Sequence, residues 1–495
     1  MLFNSYPFIL VFFPAVLAGA YFLRDTGRSW VELLLLVASL LFYAWWDVRY
    51  LPLLMGSVAV NYAGALLIEK TRSRLLLATI ILFNLGLLGI YKYLGFFLGI
   101  ASNALPWQPW DVSQLALVLP LGISFFTFHQ IGYQIDRWRG QASEHTALDY
   151  ALFVTFFPQL IAGPIVRQSE FLPQLQGLAE RLCARNILIG LTIFSIGLFK
   201  KVIFADTFAL YATLVFDTAG KSVGLDCQTA WLGVLAYTFQ IYFDFSGYSD
   251  MAIGLARMVG INLPLNFNAP YCSTSITEFW RRWHITLGRF LRDYLYFPLG
   301  GSRVAPLRHF VNLMAVMLLC GLWHGAAWTF VVWGGLHGLA LATHRLWLRL
   351  FPSQHPRSFL WRSGAWGLTF VFVVATWVLF RADSLDTAAS MLQSMFSPSS
   401  FGTATKIEGL KQAAIIQAWV AILFALLWVL IAPTTQELMR IAMRSPMYAP
   451  YIERGTAPLQ FRWQPTPQWV IGSATIFAVA FLSLSRVTEF IYYNF

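Results

Sequence analysis

The chain has 495 residues, 58% of them hydrophobic and only 12% charged, against about 25% charged in soluble domains. With a mean hydropathy of +0.61, this composition excludes a soluble globular protein and defines an integral membrane protein. The net charge of +11 is spread among loops between apolar segments, so it reflects membrane topology and not a nucleic-acid surface.

Length alone would allow about three soluble domains. The apolar segments instead follow one another with short polar connections, and no low-complexity linker or internal repeat interrupts them. We therefore expect a single all-α polytopic unit over 1–495, with N-terminal helices to 270, a core at 271–345 and C-terminal helices at 346–495. A spanning helix takes about 20 mostly apolar residues. Candidates lie near 6–23, 30–46, 50–68, 75–99, 114–134, 150–165, 187–204, 229–245, 310–343, 365–381, 415–432 and 468–485. Some of these are too short or too long for one pass, so about 11–13 membrane segments are expected, some re-entrant. The first has no basic residue before it and reads as a retained helix, not a cleaved leader.

The early loops alternate in charge. Arg24 and Arg28 are followed by Arg49 alone, then Lys70, Arg72 and Arg74, then 100–113 without Lys or Arg, then Arg137 and Arg139. This pattern puts the N-terminus outside. From the far end, basic loops at 345–362 and 440–462 fall inside, while 382–414 and the C-terminus fall outside. Asp244 and Asp250, in an aromatic and hydroxyl-rich stretch at 237–250, are expected to pair with Lys200, Lys201 or Arg257 as buried ion pairs.

Residues 278–295 carry four arginines and make a poor span. At about 100° per residue, Arg281, Arg282, Arg289 and Arg292 fall within a sector of roughly 100°. Phe279, Trp283, Leu287, Phe290 and Leu291 lie opposite, the pattern of an amphipathic helix along the cytoplasmic interface. His284 falls at the border of the two faces. Guanidinium groups bind phosphate through paired hydrogen bonds, so these arginines, with Arg303 and Arg308, are candidates for phosphate recognition. Positive-inside bias and anionic lipid headgroups are the competing account. Gly300-Gly301 after Pro298 reads as a turn.

Basic stretches at 281–308 and 345–362 flank the long segment 310–343, so that segment must leave the cytoplasmic side and return. Its turn falls near 321–327, which places His324 beside a cavity or an outward-facing funnel. An ionisable group at membrane depth is a functional candidate, and a neutral imidazole can take the proton of an attacking hydroxyl. The plainer alternative is a buried histidine packed between Trp323 and Trp328. His337 and His344 are seven apart, whereas helical metal pairs stand three or four apart, and no cysteine or carboxylate completes a set; no metal site is expected. Cys183, Cys227, Cys272 and Cys320 form no C-x-x-C pair and carry no redox signature.

Several motifs together resemble the membrane-bound O-acyltransferase family. They are Trp280-Arg281-Arg282-Trp283-His284, the run Phe290 to Gly301, Leu322-Trp323-His324-Gly325, the 237–250 stretch, Phe157-Pro158-Gln159-Leu160-Ile161-Ala162-Gly163-Pro164, Leu198-Phe199-Lys200-Lys201-Val202 and the aromatic tail 490–495. The resemblance covers most of the chain, is weakest at 383–470, and lies in the bacterial branch of alginate O-acetylation (AlgI-type) and teichoic-acid D-alanylation (DltB-type) proteins, nearer the former. It implies a multi-helix bundle in the bacterial inner membrane, with His324 as principal catalytic histidine and His284 as its partner. It also implies an acetyl-CoA or acyl-carrier thioester donor as substrate, with no bound cofactor, and transfer of the acetyl group outward to an exported polysaccharide. The partners implied are a periplasmic SGNH-type acetyltransferase and the polysaccharide export machinery, beside membrane lipids. Acyl transfer of another kind, such as D-alanylation of a cell-wall polymer, remains open. So do an ion-coupled transporter using His284, His324, Asp244 and Asp250, and a scaffold role. The polymer is not legible in the residues.

Overall fold

The computed structural model describes residues 1–104, 118–141, 144–221, 224–352, 358–397, 412–440 and 462–484. Among the described residues all regular structure is helical. Six helices there are long and apolar enough to cross a membrane: Val48–Thr71, Arg74–Ser102, Ala184–Gly220, Pro306–His324, Phe359–Arg381 and Gln412–Ile431. Shorter apolar helices run over Phe8–Leu23 and Pro467–Leu482. The protein is thus a polytopic, all-α membrane protein. The loop 100–113, the stretch 440–462 and the tail 490–495 lie wholly or largely outside the described residues, as do positions 398–411 of the stretch 382–414.

The chain divides into two compact units. The first comprises Met1–Ile196, Tyr248–Pro264 and Pro465–Ala474; the second comprises Gly197–Gly247, Leu265–Gln464 and Thr475–Phe495.

In the first unit, α1 (Phe8–Leu23), α2 (Arg28–Ala44), α3 (Val48–Thr71), α4 (Arg74–Ser102) and α5 (Ile123–Trp138) are joined by buried polar side chains. Asn61 and Asn84 exchange amide hydrogen bonds between α3 and α4, at 3.0 and 2.7 Å. Gln134 of α5 donates to the Asn61 carbonyl at 2.7 Å, and Gln130 donates to the Ser57 hydroxyl at 3.0 Å. Lipid is as apolar as leucine, so hydrophobicity alone does not choose helix partners in a bilayer; these hydrogen bonds do. The basic ends of α3 and α5 meet: Arg72 donates to the carbonyls of Arg137 and Trp138, and Arg137 pairs with Glu69 at 2.6 Å. At the opposite ends of these helices the Tyr50 hydroxyl donates to the Val118 carbonyl at 2.9 Å. The basic loops 70–74 and 137–139, assigned to one side by their charge, therefore meet at one end.

The apolar stretch 150–165 is not a continuous span, contrary to the sequence expectation. Its helix runs over Ala147–Thr155, started by a Thr146/Asp149 capping box, and ends at Phe156 with ψ 109°. Pro158 explains the stop, because it has no N–H to offer the carbonyl four residues back and its ring clashes there.

The second unit contains the polar centre of two long helices, α6 (Ala184–Gly220) and α7 (Cys227–Met258). Lys201 lies between Asp206 at 2.8 Å and Asp244 at 2.6 Å, all three buried. Lys200 donates instead to the Thr435 hydroxyl at 2.9 Å, and Arg257 to Asn262 in the first unit. Asp206 is a member of this cluster that the sequence reading did not name.

The expected single amphipathic helix at 278–295 is broken in two. It forms α8 (Ile276–Arg282) and α9 (Ile285–Leu291), followed by a π-helical turn at Arg292–Tyr296. Trp283 and His284 between them are 1% and 0% exposed, and His284 has a φ of +42°, which a right-handed helix cannot contain. Loop 266–268 receives the freed backbone groups: Ile285 N–H donates to the Asn266 carbonyl at 2.9 Å, and Asn268 N–H to the Arg282 carbonyl at 2.9 Å.

The expected excursion at 310–343 is a hairpin of α10 (Pro306–His324) and α11 (Trp328–Leu350), flanked by α12 (Phe359–Arg381). Glycine makes its close packing possible. A Cβ on Gly321 would stand 2.2 Å from the Phe330 carbonyl oxygen, and one on Gly334 would stand 2.3 Å from that of Met317.

Candidate active site

The break between α8 and α9 presents His284. Its φ of +42° is left-handed, a conformation few non-glycine residues adopt, and it turns the imidazole into the interior. The backbone N–H of Thr286 faces Asn266 Oδ1 at 3.3 Å and the Thr286 hydroxyl donates to the same oxygen at 2.9 Å. An N–H can only donate, so this atom is the carbonyl oxygen, and His284 Nδ1, 3.0 Å from it, must carry the ring proton. Nε2 is then the basic nitrogen. It is buried and has no hydrogen-bond partner among the described residues. Burial holds the His284 pKa well below the usual imidazole value, so the ring is neutral.

His324 ends α10, just before the turn at 325–327. It is 2% exposed, and its ring centroid is 6.3 Å from that of His284. Trp323 at 4.9 Å, Phe380 at 5.1 Å and Trp333 at 5.4 Å meet it edge-on. Two residues forty apart in sequence thus share one aromatic chamber. Trp328, the expected second wall, is 52% exposed; Trp333 and Phe380 supply the walls instead.

The same short helices form a cavity of about 900 Å³. Arg281, Arg282, Arg289 and Arg292 all line it, together with Arg345 from α11, Glu278, Trp280 and Tyr296. Arg303 and Arg308 do not, and neither histidine does, although Ile285, next to His284, is part of the wall. Five guanidinium groups face one carboxylate. Arg282 pairs with Glu278 at 2.7 Å and Arg292 with Asp293 at 2.7 Å. Burial tends to raise the Glu278 pKa, but the Thr274 amide and Arg282 outweigh it and hold the carboxyl below its usual range. Arg281 and Arg345 have no ion-pair or hydrogen-bond partner among the described residues. The cavity is therefore positively charged, with two uncommitted cations, and suits an anionic ligand.

His337 and His344 have separate partners. The Trp280 indole N–H donates to His337 Nδ1 at 3.2 Å, so His337 Nε2 carries the proton toward the Thr376 hydroxyl at 3.0 Å. His344 Nδ1 is 2.8 Å from the Thr277 hydroxyl. Sequence reading missed Asn266, Trp333 and the cavity role of Arg345. Asn266 stands out only as a polar residue within Leu263-Pro264-Leu265-Asn266-Phe267, and Arg345 has in sequence only the mark of a positive-inside loop charge.

These features define a polytopic membrane protein with a buried histidine pair beside a cationic cavity. A sequence model of the membrane-bound O-acyltransferase family (MBOAT) matches residues 139–380, which include both histidines and all five cavity arginines. The chain is 46% identical to a peptidoglycan O-acetyltransferase of Helicobacter pylori, over 80% of each chain. It is 41% identical to a probable alginate O-acetylase AlgI of Pseudomonas aeruginosa, over 86% of this chain and 81% of that one. Its identity to a teichoic acid D-alanyltransferase of Streptococcus thermophilus is 31%, over 46% of this chain and 57% of the relative. The protein belongs to the membrane-bound O-acyltransferase family. It is an acyltransferase.

Proposed function

We propose that the protein takes an acetyl group from a cytoplasmic thioester and passes it across the bacterial inner membrane for O-acetylation of an exported polysaccharide. The observation that carries this reading is the pair of buried imidazoles, 6.3 Å apart, one of which, His284, stands at the break between the short helices that line the arginine cavity. Acetyl-CoA is the donor, its phosphates held by Arg281, Arg282, Arg289, Arg292 and Arg345 through charge-assisted hydrogen bonds. His324 takes the proton of the acceptor hydroxyl as that oxygen attacks the thioester carbon, and His284 positions the reacting groups. The acceptor is the hydroxyl of a periplasmic SGNH-type acetyltransferase that serves the polysaccharide export machinery. The acetyl assignment is favoured over D-alanyl transfer because the O-acetylating relatives align over 80–86% of this chain and the D-alanylating one over 46%.

The test is release of free thiol from acetyl-CoA by purified protein, with and without the periplasmic partner. A general base is typically worth about 10²- to 10⁴-fold, so His324→Ala is expected to lose turnover by that factor while remaining folded. Wild-type turnover in the variant would overturn the mechanism.

A further inference from the structure

Trp333 of α11 is 0% exposed. Its indole nitrogen, a donor only, has no hydrogen-bond partner among the described residues. A buried donor left unmade is costly, and one in a folded protein calls for an explanation. The ring stands at one particular place. It meets His324 edge-to-face at 5.4 Å and 88°, and it also meets Trp280 at 5.8 Å, a residue of the arginine-cavity wall. Trp333 therefore bridges the donor cavity and the proposed base.

Its position is also fixed before any ligand arrives. Trp377 stacks on it at 6.0 Å and Phe380 packs against it at 5.2 Å. The next residue, Gly334, is pressed against the backbone of α10, where a Cβ would stand 2.3 Å from a carbonyl oxygen. Donors held rigidly in a water-poor site are the kind that stabilise charge developing in a transition state.

We propose that Trp333 Nε1–H donates to the thioester carbonyl oxygen and stabilises the negative charge that forms on it during acyl transfer. The proposal rests on the reading of His324 as the base. The acceptor oxygen bonds to the carbonyl carbon while its proton passes to His324, and the carbonyl electron pair moves to the oxygen facing Trp333. When that pair returns, the carbon–sulfur bond breaks; the sulfur keeps the bonding electrons and takes the proton from His324 to leave as a free thiol.

The experiment compares thiol release from acetyl-CoA by the full-length protein with that by three variants. They are Trp333→Phe, Trp333 replaced by benzothienylalanine, which keeps the bicyclic shape but has no N–H, and His324→Ala. Melting temperature and elution in detergent report folding. Loss of one such donor is expected to lower kcat by about 10²-fold with donor KM nearly unchanged, in both Trp333 variants alike. If benzothienylalanine restores wild-type kcat, or the change is confined to KM, Trp333 only packs and the proposal falls while the His324 reading stands. If His324→Ala keeps wild-type turnover, or wild type itself has none, the reading falls and takes the proposal with it.

Discussion

A histidine at φ +42° is held there by what its ring nitrogen reaches, namely Asn266 Oδ1 at 3.0 Å. Asparagine tolerates the same backbone region and β-branched residues do not. His284→Asn is therefore expected to fold and to lose activity through the missing Nε2. His284→Val should lower the melting temperature as well, and gel filtration with thermal unfolding separates the two. The same position sets a pH dependence. Burial lowers the His284 pKa in the folded protein, so protons bind preferentially to the unfolded chain. The stability due to the neutral ring is whole above about pH 6.5, the unfolded value, and drains away as the pH falls below it. Between pH values of about 7.5 and about 5, the melting temperature of wild type should thus fall more than that of His284→Asn. Equal falls would mean that the ring titrates in the folded protein as it does in water.

At the scale of elements, the α10–α11 hairpin brings His324 to Trp333, and its glycines set how closely the two helices pack. Gly334→Ala would press a methyl group onto the Met317 carbonyl oxygen at 2.3 Å, whereas the nearest atom to a methyl at Gly335 is a leucine carbon at 3.6 Å. Overpacking of this kind costs about 1–3 kcal/mol. Gly334→Ala should accordingly lower both the melting temperature and turnover, while Gly335→Ala leaves both near wild type. Similar behaviour of the two would deny the close crossing. The α8–α9 break teaches a related lesson about short elements. A helical wheel grouped the four arginines on one sector by assuming a continuous helix, and the helix is interrupted at Trp283–His284. All four nonetheless line one cavity, because loop 266–268 takes up the broken backbone bonds and lets α9 resume beside α8.

At the scale of the molecule, the cationic cavity predicts how donor binding depends on charge. Arg281→Glu or Arg345→Glu reverses a guanidinium that has no ion-pair partner among the described residues. Each should raise the KM for acetyl-CoA by about tenfold or more, and added salt should raise the wild-type KM as counter-ions screen the site. A KM indifferent to both would remove the cavity from the donor path. Membrane embedding, the helical class and the turn at His324 were legible in the sequence, because apolar composition and the spacing of charged loops are local properties that a bilayer enforces directly. His284 was legible for a related reason, being an ionisable group in an aromatic stretch. Asn266, Arg345 and Trp333 were not, since a lone asparagine, a loop arginine and one tryptophan among 20 carry no local mark. Sequence by itself thus determined the membrane-embedded, all-helical class and where the 310–343 excursion turns. Only the tertiary structure decided which ionisable residues meet, because side chains far apart in the chain are brought within hydrogen-bonding and ring-contact distance by helix crossings and backbone breaks that no local pattern encodes.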